Sequence, residues 1–269
     1  MRIALVANPD KVLAGRFVPE LKRWLAREGH HPVVFDRSAR RVGADCDLVV
    51  ALGGDGTLLR AARMVNARRI PIMGVNLGGL GFLTLFSVRE ARSGIRAFAR
   101  QRHAETERMV LRCRYGRRSA YCLNDCAVNM GPDNRVIDVS AWADGQLVTR
   151  FVGDGVVVAT PTGSTAYSLA AGGPVVFPTM DAILLTPLSP HALGARPLLL
   201  PGTSTVELEL SPRSDSALLN LDGQERWRIR PGRRIFVDRA GFSVRLVVPG
   251  NKTFFRILRE KLNWTGSRR

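Results

Sequence analysis

The chain has 269 residues and carries 40 Lys and Arg against 23 Asp and Glu, a formal net charge of +17. A hydrophobic content of 45% excludes a disordered polycation, and the 26 Gly and 15 Pro follow no collagen-like period and build no low-complexity tract. Four of the cations are Lys and 36 are Arg, scattered singly or in pairs such as Arg40–Arg41 and Arg117–Arg118, with no like-charge run of the kind that basic nucleic-acid-binding tails carry. Only Arg196 is cationic between Phe151 and Ser211. On composition alone, an Arg-rich background and a functional polycation stand level. Cys46, Cys113, Cys122 and Cys126 form no C-x-x-C pair and have no His at zinc-ligand spacing, so buried free thiols are expected. The apolar run at the N-terminus is too short for a secretory signal, and the longest uncharged stretch is rich in Gly, Pro, Ser and Thr. The expectation is a soluble, cytoplasmic protein with no membrane association.

The first hundred residues alternate between strand and helix. Ile3–Ala7 reads as a buried strand, Arg16–Glu28 as a helix closed by Gly29, and Pro32–Phe35 as a second strand. Asp47–Leu52 reads as a buried parallel strand that runs straight into Gly53-Gly54-Asp55-Gly56-Thr57, with a helix over Leu58–Ala67. Ile70–Val75 is a further strand, ending in a glycine-rich turn from Asn76 to Gly81, and Arg89–Arg100 a further helix. This order implies a doubly wound α/β sheet. From Glu105 the pattern becomes mostly β. Strands are expected over Met109–Tyr115, Tyr121–Asn129, Val136–Trp142, Val156–Ala159, Val206–Leu210, Ile235–Asp238 and Phe242–Val247. Asp144–Gly145 marks a hairpin and Ala240–Gly241 a second turn, and Lys252–Leu262 has helical periodicity. The expected organisation is an α/β domain over 1–104, a β-rich domain over 105–250, and a helical tail over 251–269 that packs back on the first domain.

Three constellations carry polar chemistry. In GGDGT the glycines permit a tight strand-to-helix turn and close approach of a phosphate to the amides of a helix N-terminus. Asp55 would repel that phosphate. It fits as a base for an attacking hydroxyl, as a group steering Mg²⁺, or as a plain capping residue. Neither a Walker loop nor a G-x-G-x-x-G fingerprint is present. The second constellation is Gly153-Asp154-Gly155, a strand, and then Thr160 to Ser168, where seven of nine residues are Gly or hydroxylic and a helix N-terminus is expected before Ser168–Ala171. The third is Asn124–Asp125 at the end of a strand, where an amide beside a carboxylate matches ribose hydroxyls or an exocyclic amine.

GGDGT (53–57), VNLGGLGFLT (75–84), LND (123–125), DGVVVATPTGSTAYSLAAGGP (154–174), SPHALGARPL (189–198) and LDGQ (221–224) stand in the order seen in NAD kinases, and the chain resembles that family over nearly its whole length. GGDGT alone is shared with diacylglycerol and sphingoid lipid kinases; the TPTGSTAYSLAAGGP block is the specific one. The resemblance implies an α/β N-terminal domain, a mainly β C-terminal domain and phosphoryl transfer from ATP to the 2′-hydroxyl of the adenosine ribose of NAD. It implies Mg²⁺ on the donor phosphates, with no protein metal ligand assigned, and a homodimer or homotetramer.

The same resemblance implies site residues. Asp55 is the catalytic base; Gly53, Gly54, Gly56 and Thr57 face phosphate, and Gly56 and Arg60 face the dinucleotide. Asn124 and Asp125 hold the dinucleotide, Asp125 one methylene shorter than the Glu of many members. Arg135 is a basic contact, Asp154 reads the nicotinamide end, and Val152 falls where members differ, at a site that bears on NAD against NADH and to which Val brings no charge. Thr165, Ala166, Tyr167, Ser168, Leu169 and Ala170 form the binding segment, and Gln224 is a downstream contact. Two other readings predict different surfaces. A lipid kinase requires an exposed apolar cleft, and a nucleic-acid-binding protein requires clustered cations with interleaved aromatics.

Overall fold

A short apolar run makes the first strand, β1 (Arg2–Ala7), in which Ile3, Ala4, Leu5 and Val6 are fully buried. The computed structural model describes residues 1–79, 81–131, 135–214, 216–250 and 252–264. Leu80 of the glycine-rich segment and Asn251 and 265–269 of the expected tail therefore lie outside the described residues. The chain divides into two compact units, Met1–Glu107 with Val244–Arg269, and Arg108–Ser243.

In the first unit β1 is followed by α1 (Val12–Arg27), β2 (His31–Phe35), β3 (Leu48–Gly53), α2 (Asp55–Val65), β4 (Ile72–Asn76), the two-residue β5 (Phe86–Ser87) and α3 (Val88–Ala99). The strands pair in parallel in the order β2-β1-β3-β4, with Ile3 beside Leu48 and Val49 beside Ile72. Helix α1 buries Ala14, Phe17, Leu21, Trp24 and Leu25 at helical spacing, and Gly29 (φ 77°) supplies the left-handed residue after it. Helix α3 opens on a capping box: Ser87 Oγ accepts from Glu90 N at 3.3 Å, and Glu90 Oε2 accepts from Ser87 N at 2.7 Å. Burial opposes the charge on Glu90, but the Ser87 amide and Lys252 overcome it and hold its carboxyl at about 2.

Strand β6 (Ala104–Tyr115) leads into the second unit and forms a hairpin with β7 (Arg118–Cys122). Then come β8 (Asp125–Met130), β9 (Ile137–Ala143), β10 (Gln146–Gly153), β11 (Gly155–Ala159), the single-turn α4 (Tyr167–Ala170), β12 (Ala182–Leu188) and β13 (Leu198–Pro201). Strands β14 (Val206–Leu210), β15 (Ala217–Leu221), β16 (Glu225–Ile229) and β17 (Ile235–Val248) complete the unit, and α5 (Phe254–Leu262) belongs to the first unit. One sheet is antiparallel throughout, in the order β13-β12-β11-β8-β15-β16; β10, β9, β14 and the first half of β17 form another antiparallel run. Apolar residues from both runs, among them Val128, Val139, Val158, Leu208 and Leu219, form one core. All four cysteines are buried and none is in a disulfide, with Cys113 and Cys126 Sγ atoms 3.4 Å apart.

The architecture is the expected one: α/β in the first part, mainly β in the second. Three local expectations are corrected. Ala240–Gly241 is not a turn. It lies inside the continuous 14-residue strand β17, whose early residues pair with β14 while Leu246 and Val247 lie parallel to Ile72 and Met73 of β4, so the small residues mark a change of partner. Tyr121–Asn129 is two strands, broken at Leu123–Asn124, and Asp125 begins a strand rather than ending one. The helix after GGDGT begins at Asp55, not Leu58, because Gly54 takes the N-cap. The Asp144–Gly145 hairpin is present, both residues at positive φ (50° and 78°).

Gly155 shows how tightly the second unit is packed. Its φ is 153°, and a Cβ there would meet Val128 O at 1.9 Å in the neighbouring strand. Gly155→Ala is therefore expected to destabilise the protein by about 2 kcal/mol or more, read as a lowered midpoint in denaturant unfolding; an unchanged midpoint would show that β8 and β11 separate at little cost.

Candidate functional site

In the first unit the chemistry-bearing turn is built by α2. Gly53 ends β3 where a Cβ would strike Thr57 Oγ1 at 2.1 Å, Gly54 is the N-cap, and Asp55 is the first helical residue. A carboxylate there suits the positive end of the helix dipole. Its oxygens are held by the glycine-rich segment: Oδ2 accepts from Phe82 N at 2.8 Å, and Oδ1 accepts from Leu83 N and Thr84 N, each at 3.0 Å, and from Thr84 Oγ1 at 3.1 Å. Gly81 completes the seat, since a Cβ there would meet Asp55 Oδ1 at 2.2 Å. Asn76 orders the same segment, donating from Nδ2 to Gly79 O at 2.7 Å and to Thr84 Oγ1 at 2.9 Å. Gly56 is exposed, and Thr57 is buried. Arg60, one turn on, donates to the carbonyls of Ala7 and Asp36.

In the second unit a pocket of about 370 Å³ is lined by Asn124, Asp125, Ala166 and Tyr167, and also by Asn129, Asn220 and Arg226. Asn220 Nδ2 donates to Asn129 Oδ1, and Asn129 Nδ2 donates to Tyr167 Oη, each at 2.8 Å, which fixes the half-exposed tyrosine ring. Asn124 Oδ1 is buried with no hydrogen-bond partner among the described residues. Asp125 is only 6% exposed. Burial first, and the charge of Asp222 second, push its carboxyl up to about 7 against the pull of the Tyr167 amide.

The other expected residues of this unit do not line this pocket. Thr165 donates its hydroxyl to Thr162 O at 3.3 Å, and Ser168 Oγ is buried against Thr186 Oγ1 at 2.9 Å. Leu169 and Ala170 follow in α4, which is too short to present a helix N-terminus of the expected kind. Asp154 stands between β10 and β11 with its backbone tied to Leu188 O and Met130 N, each at 3.0 Å. Val152, partly exposed, sits opposite Asp138; Arg135 and Gln224 are exposed, Gln224 on the β15–β16 turn. Sequence reading missed Thr84, Asn76, Asn129, Asn220 and Arg226. Only Asn76 and Thr84 lay inside a quoted motif, and nothing local marks the others.

The Arg residues that look scattered in sequence converge at one place in this unit. Arg114, Arg117, Arg118, Arg233 and Arg234 line a second concavity of about 690 Å³. Arg114 pairs with Asp238 at 2.7 Å and Arg234 with Glu207 at 2.8 Å, while Arg118 and Arg233 lie over the rings of Trp227 and Tyr115. Among the described residues no helix is long and apolar enough to cross a membrane.

A model of the ATP-NAD kinase N-terminal domain matches residues 36–103, and a model of the ATP-NAD kinase C-terminal domain matches residues 123–248. The NAD kinase of Geotalea daltonii is 37% identical over 279 residues, covering 98% of each chain, and that of Gemmatimonas aurantiaca is 44% identical over 82% of this chain and 78% of its own. Among solved structures, a yeast NADH kinase complexed with NADH superposes with a TM-score of 0.92 at 25% identity, covering 100% of this chain and 89% of its own. An NAD kinase from Archaeoglobus fulgidus in complex with ATP gives 0.85 at 28% identity, covering 98% and 99%.

The raised Asp125 carboxyl makes stability depend on pH. An unfolded Asp releases its proton near about pH 4, whereas the folded one holds it to about 7. Between these values the folded state binds more protons, so Asp125 costs stability progressively as pH rises. In Asp125→Asn this contribution disappears: the variant should gain stability over the parent by a few kcal/mol on going from about pH 4 to about pH 8, measured by urea unfolding. A difference independent of pH would contradict it.

Proposed function

The chain belongs to the ATP-NAD kinase family, and from that membership we propose that it transfers the γ-phosphoryl group of ATP to the 2′-hydroxyl of the adenosine ribose of NAD, releasing ADP, a proton and NADP. The observation that carries the reading is the pocket of the second unit. Its wall sets the Asn124 amide, whose Oδ1 has no donor among the described residues, beside the buried Asp125. Both residues line the pocket, and an amide beside a carboxylate matches a ligand rich in N–H and O–H groups. A nucleoside half of a dinucleotide is such a ligand, and Tyr167 offers its ring beside it.

Asp55 takes the proton of the attacking hydroxyl. A secondary alcohol is a weak nucleophile, and a positioned base contributes about 10²–10⁴-fold. The carboxylate is fixed by backbone amides on one side, while its fourth partner, the Thr84 hydroxyl, can rotate away without moving the chain. Exchange of that partner for the ribose hydroxyl gives the base its substrate at hydrogen-bond distance. Gly53, Gly54, Gly56 and Thr57 face phosphate, and Arg60 supplies charge toward the dinucleotide. Thr165 to Ala170, Asp154, Arg135 and Gln224 complete the dinucleotide contacts, and the uncharged Val152 bears on the choice between NAD and NADH.

Among the described residues no group of three or more His, Cys, Asp and Glu comes together as a metal cage. Magnesium held mainly by nucleotide phosphates needs no such cage. When bound it neutralises charge on the donor phosphates. The protein works in the cytoplasm as a homodimer or homotetramer. Nothing in the comparisons or in the pocket favours a lipid or a nucleic-acid polymer as substrate.

The direct test supplies NAD or NADH, Mg²⁺ and either ATP or polyphosphate, and reads the product with a strictly NADP-specific dehydrogenase. NAD with ATP should give NADP; no product from any pairing would overturn the reading. Asp55→Asn should lower kcat by about 10²–10⁴-fold with NAD binding retained, and a near-parental kcat would remove Asp55 from the role. If the +17 charge steers anions, KM for both substrates rises with ionic strength; a flat response would leave the Arg excess without a part in catalysis.

A further inference from the structure

We propose that Asp222 is a positioning residue for the dinucleotide: its carboxylate gathers the backbone of Leu123–Asp125 and thereby sets the Asn124 and Asp125 side chains in the pocket wall. The inference rests on the reading that this pocket takes NAD.

The segment Leu123–Asn124 is a break between β7 and β8, so it cannot use a regular strand ladder to pair its backbone. Asp222, on the turn between β15 and β16, takes that place. Its Oδ2 accepts from Leu123 N at 2.9 Å, and its Oδ1 accepts from Asn124 N at 2.8 Å and Asp125 N at 3.1 Å. The carbonyls are paired as well. Thr160 Oγ1 donates to Leu123 O at 2.6 Å, Thr160 N to Asn124 O at 2.9 Å, and Asp222 N to Asp125 O at 2.9 Å. All six backbone polar groups of the three residues are thus held from two sides. Gly163 presses on the same segment, since a Cβ there would meet Asn124 O at 2.0 Å.

The grip is stiff because the turn that carries it is stiff. Asp222 (φ 52°) and Gly223 (φ 65°) are consecutive left-handed residues. Asp and Asn tolerate that conformation better than other side chains. Asn at this position therefore keeps the turn, but its amide turns a donor toward one of the three N–H groups and the negative charge is gone.

The charge has a second effect. Asp125 is faced by Asp222 from the β15–β16 turn, by Arg226 of β16 across the same pocket, and by the Tyr167 amide at the start of α4. After burial, the Asp222 charge is the largest influence raising the Asp125 carboxyl. Asp222 thus fixes where the Asn124–Asp125 pair lies and adds to burial in raising the pH at which Asp125 ionises.

The test compares the parent, Asp222→Asn and Thr160→Val in the full-length protein, with KM for NAD, KM for ATP and kcat measured between about pH 5.5 and 8.5. In Asp222→Asn the KM for NAD should rise about tenfold or more, exceeding any change in kcat and leaving KM for ATP in place, and the pH at which NAD affinity changes should move down. Thr160→Val loosens the same segment without touching a charge: KM for NAD should rise while the pH profile stays put. An unchanged KM for NAD and an unmoved profile in folded Asp222→Asn would overturn the proposal. If that variant does not fold, Thr160→Val decides, and a parental KM there overturns it. A parent protein that makes no NADP would overturn the kinase reading instead, so the two failures are distinct.

Discussion

In each unit one aspartate accepts hydrogen bonds from three consecutive backbone amides, and the segments that carry the polar chemistry depend on those two grips. Asp55 takes Phe82, Leu83 and Thr84 in the first unit; Asp222 takes Leu123, Asn124 and Asp125 in the second. The first gripped segment is irregular and the second is a strand break running into the first residue of β8, and such backbone set among buried residues needs partners outside helix and sheet. A carboxylate with two oxygens and several lone pairs meets that need in one side chain. The bonds are charge-assisted, stronger than neutral ones. Order in the loops is thus obtained without a ladder, and side chains on them can be aimed at a ligand.

The two grips differ in what the carboxylate does besides. Asp55 stands at the start of a helix with a rotatable hydroxyl as one of its partners, an arrangement that permits exchange with a substrate group. Asp222 stands on a left-handed turn and is locked by a return bond from its own amide to Asp125 O. The first suits a group that acts on a proton, the second a group that holds others still. Beside Asp222, Asp125 is kept protonated to about pH 7 by burial and by that neighbouring charge, so the pocket pairs an amide acceptor with a carboxyl that can donate or accept near neutral pH.

Much of this was legible in the sequence. The strand before GGDGT and the α/β alternation follow from apolar runs and glycine placement, and the Asp144–Gly145 hairpin from its turn chemistry. The partners of the two aspartates were not legible, because a backbone amide carries no side-chain signature. They lie 27 to 29 residues downstream of Asp55 and 97 to 99 residues upstream of Asp222. The split of β17 at Ala240–Gly241 failed for a related reason: small residues signal a turn locally, but here the strand keeps its direction while its neighbours change. The scatter of Arg along the chain also concealed the convergence of five of them on one concavity. Their ion pairs with Asp238, Glu207 and Glu209 hold part of that charge in place, which dispersal in sequence could not show.

The central claim is that the chain moves one phosphoryl group onto NAD, and the product itself tests it most directly. Phosphorus NMR of a reaction containing the protein, NAD, ATP and Mg²⁺ should show ADP appearing in step with a single new phosphomonoester on the 2′ oxygen of the adenosine ribose. ADP without that monoester, or a monoester at another oxygen, would contradict the account.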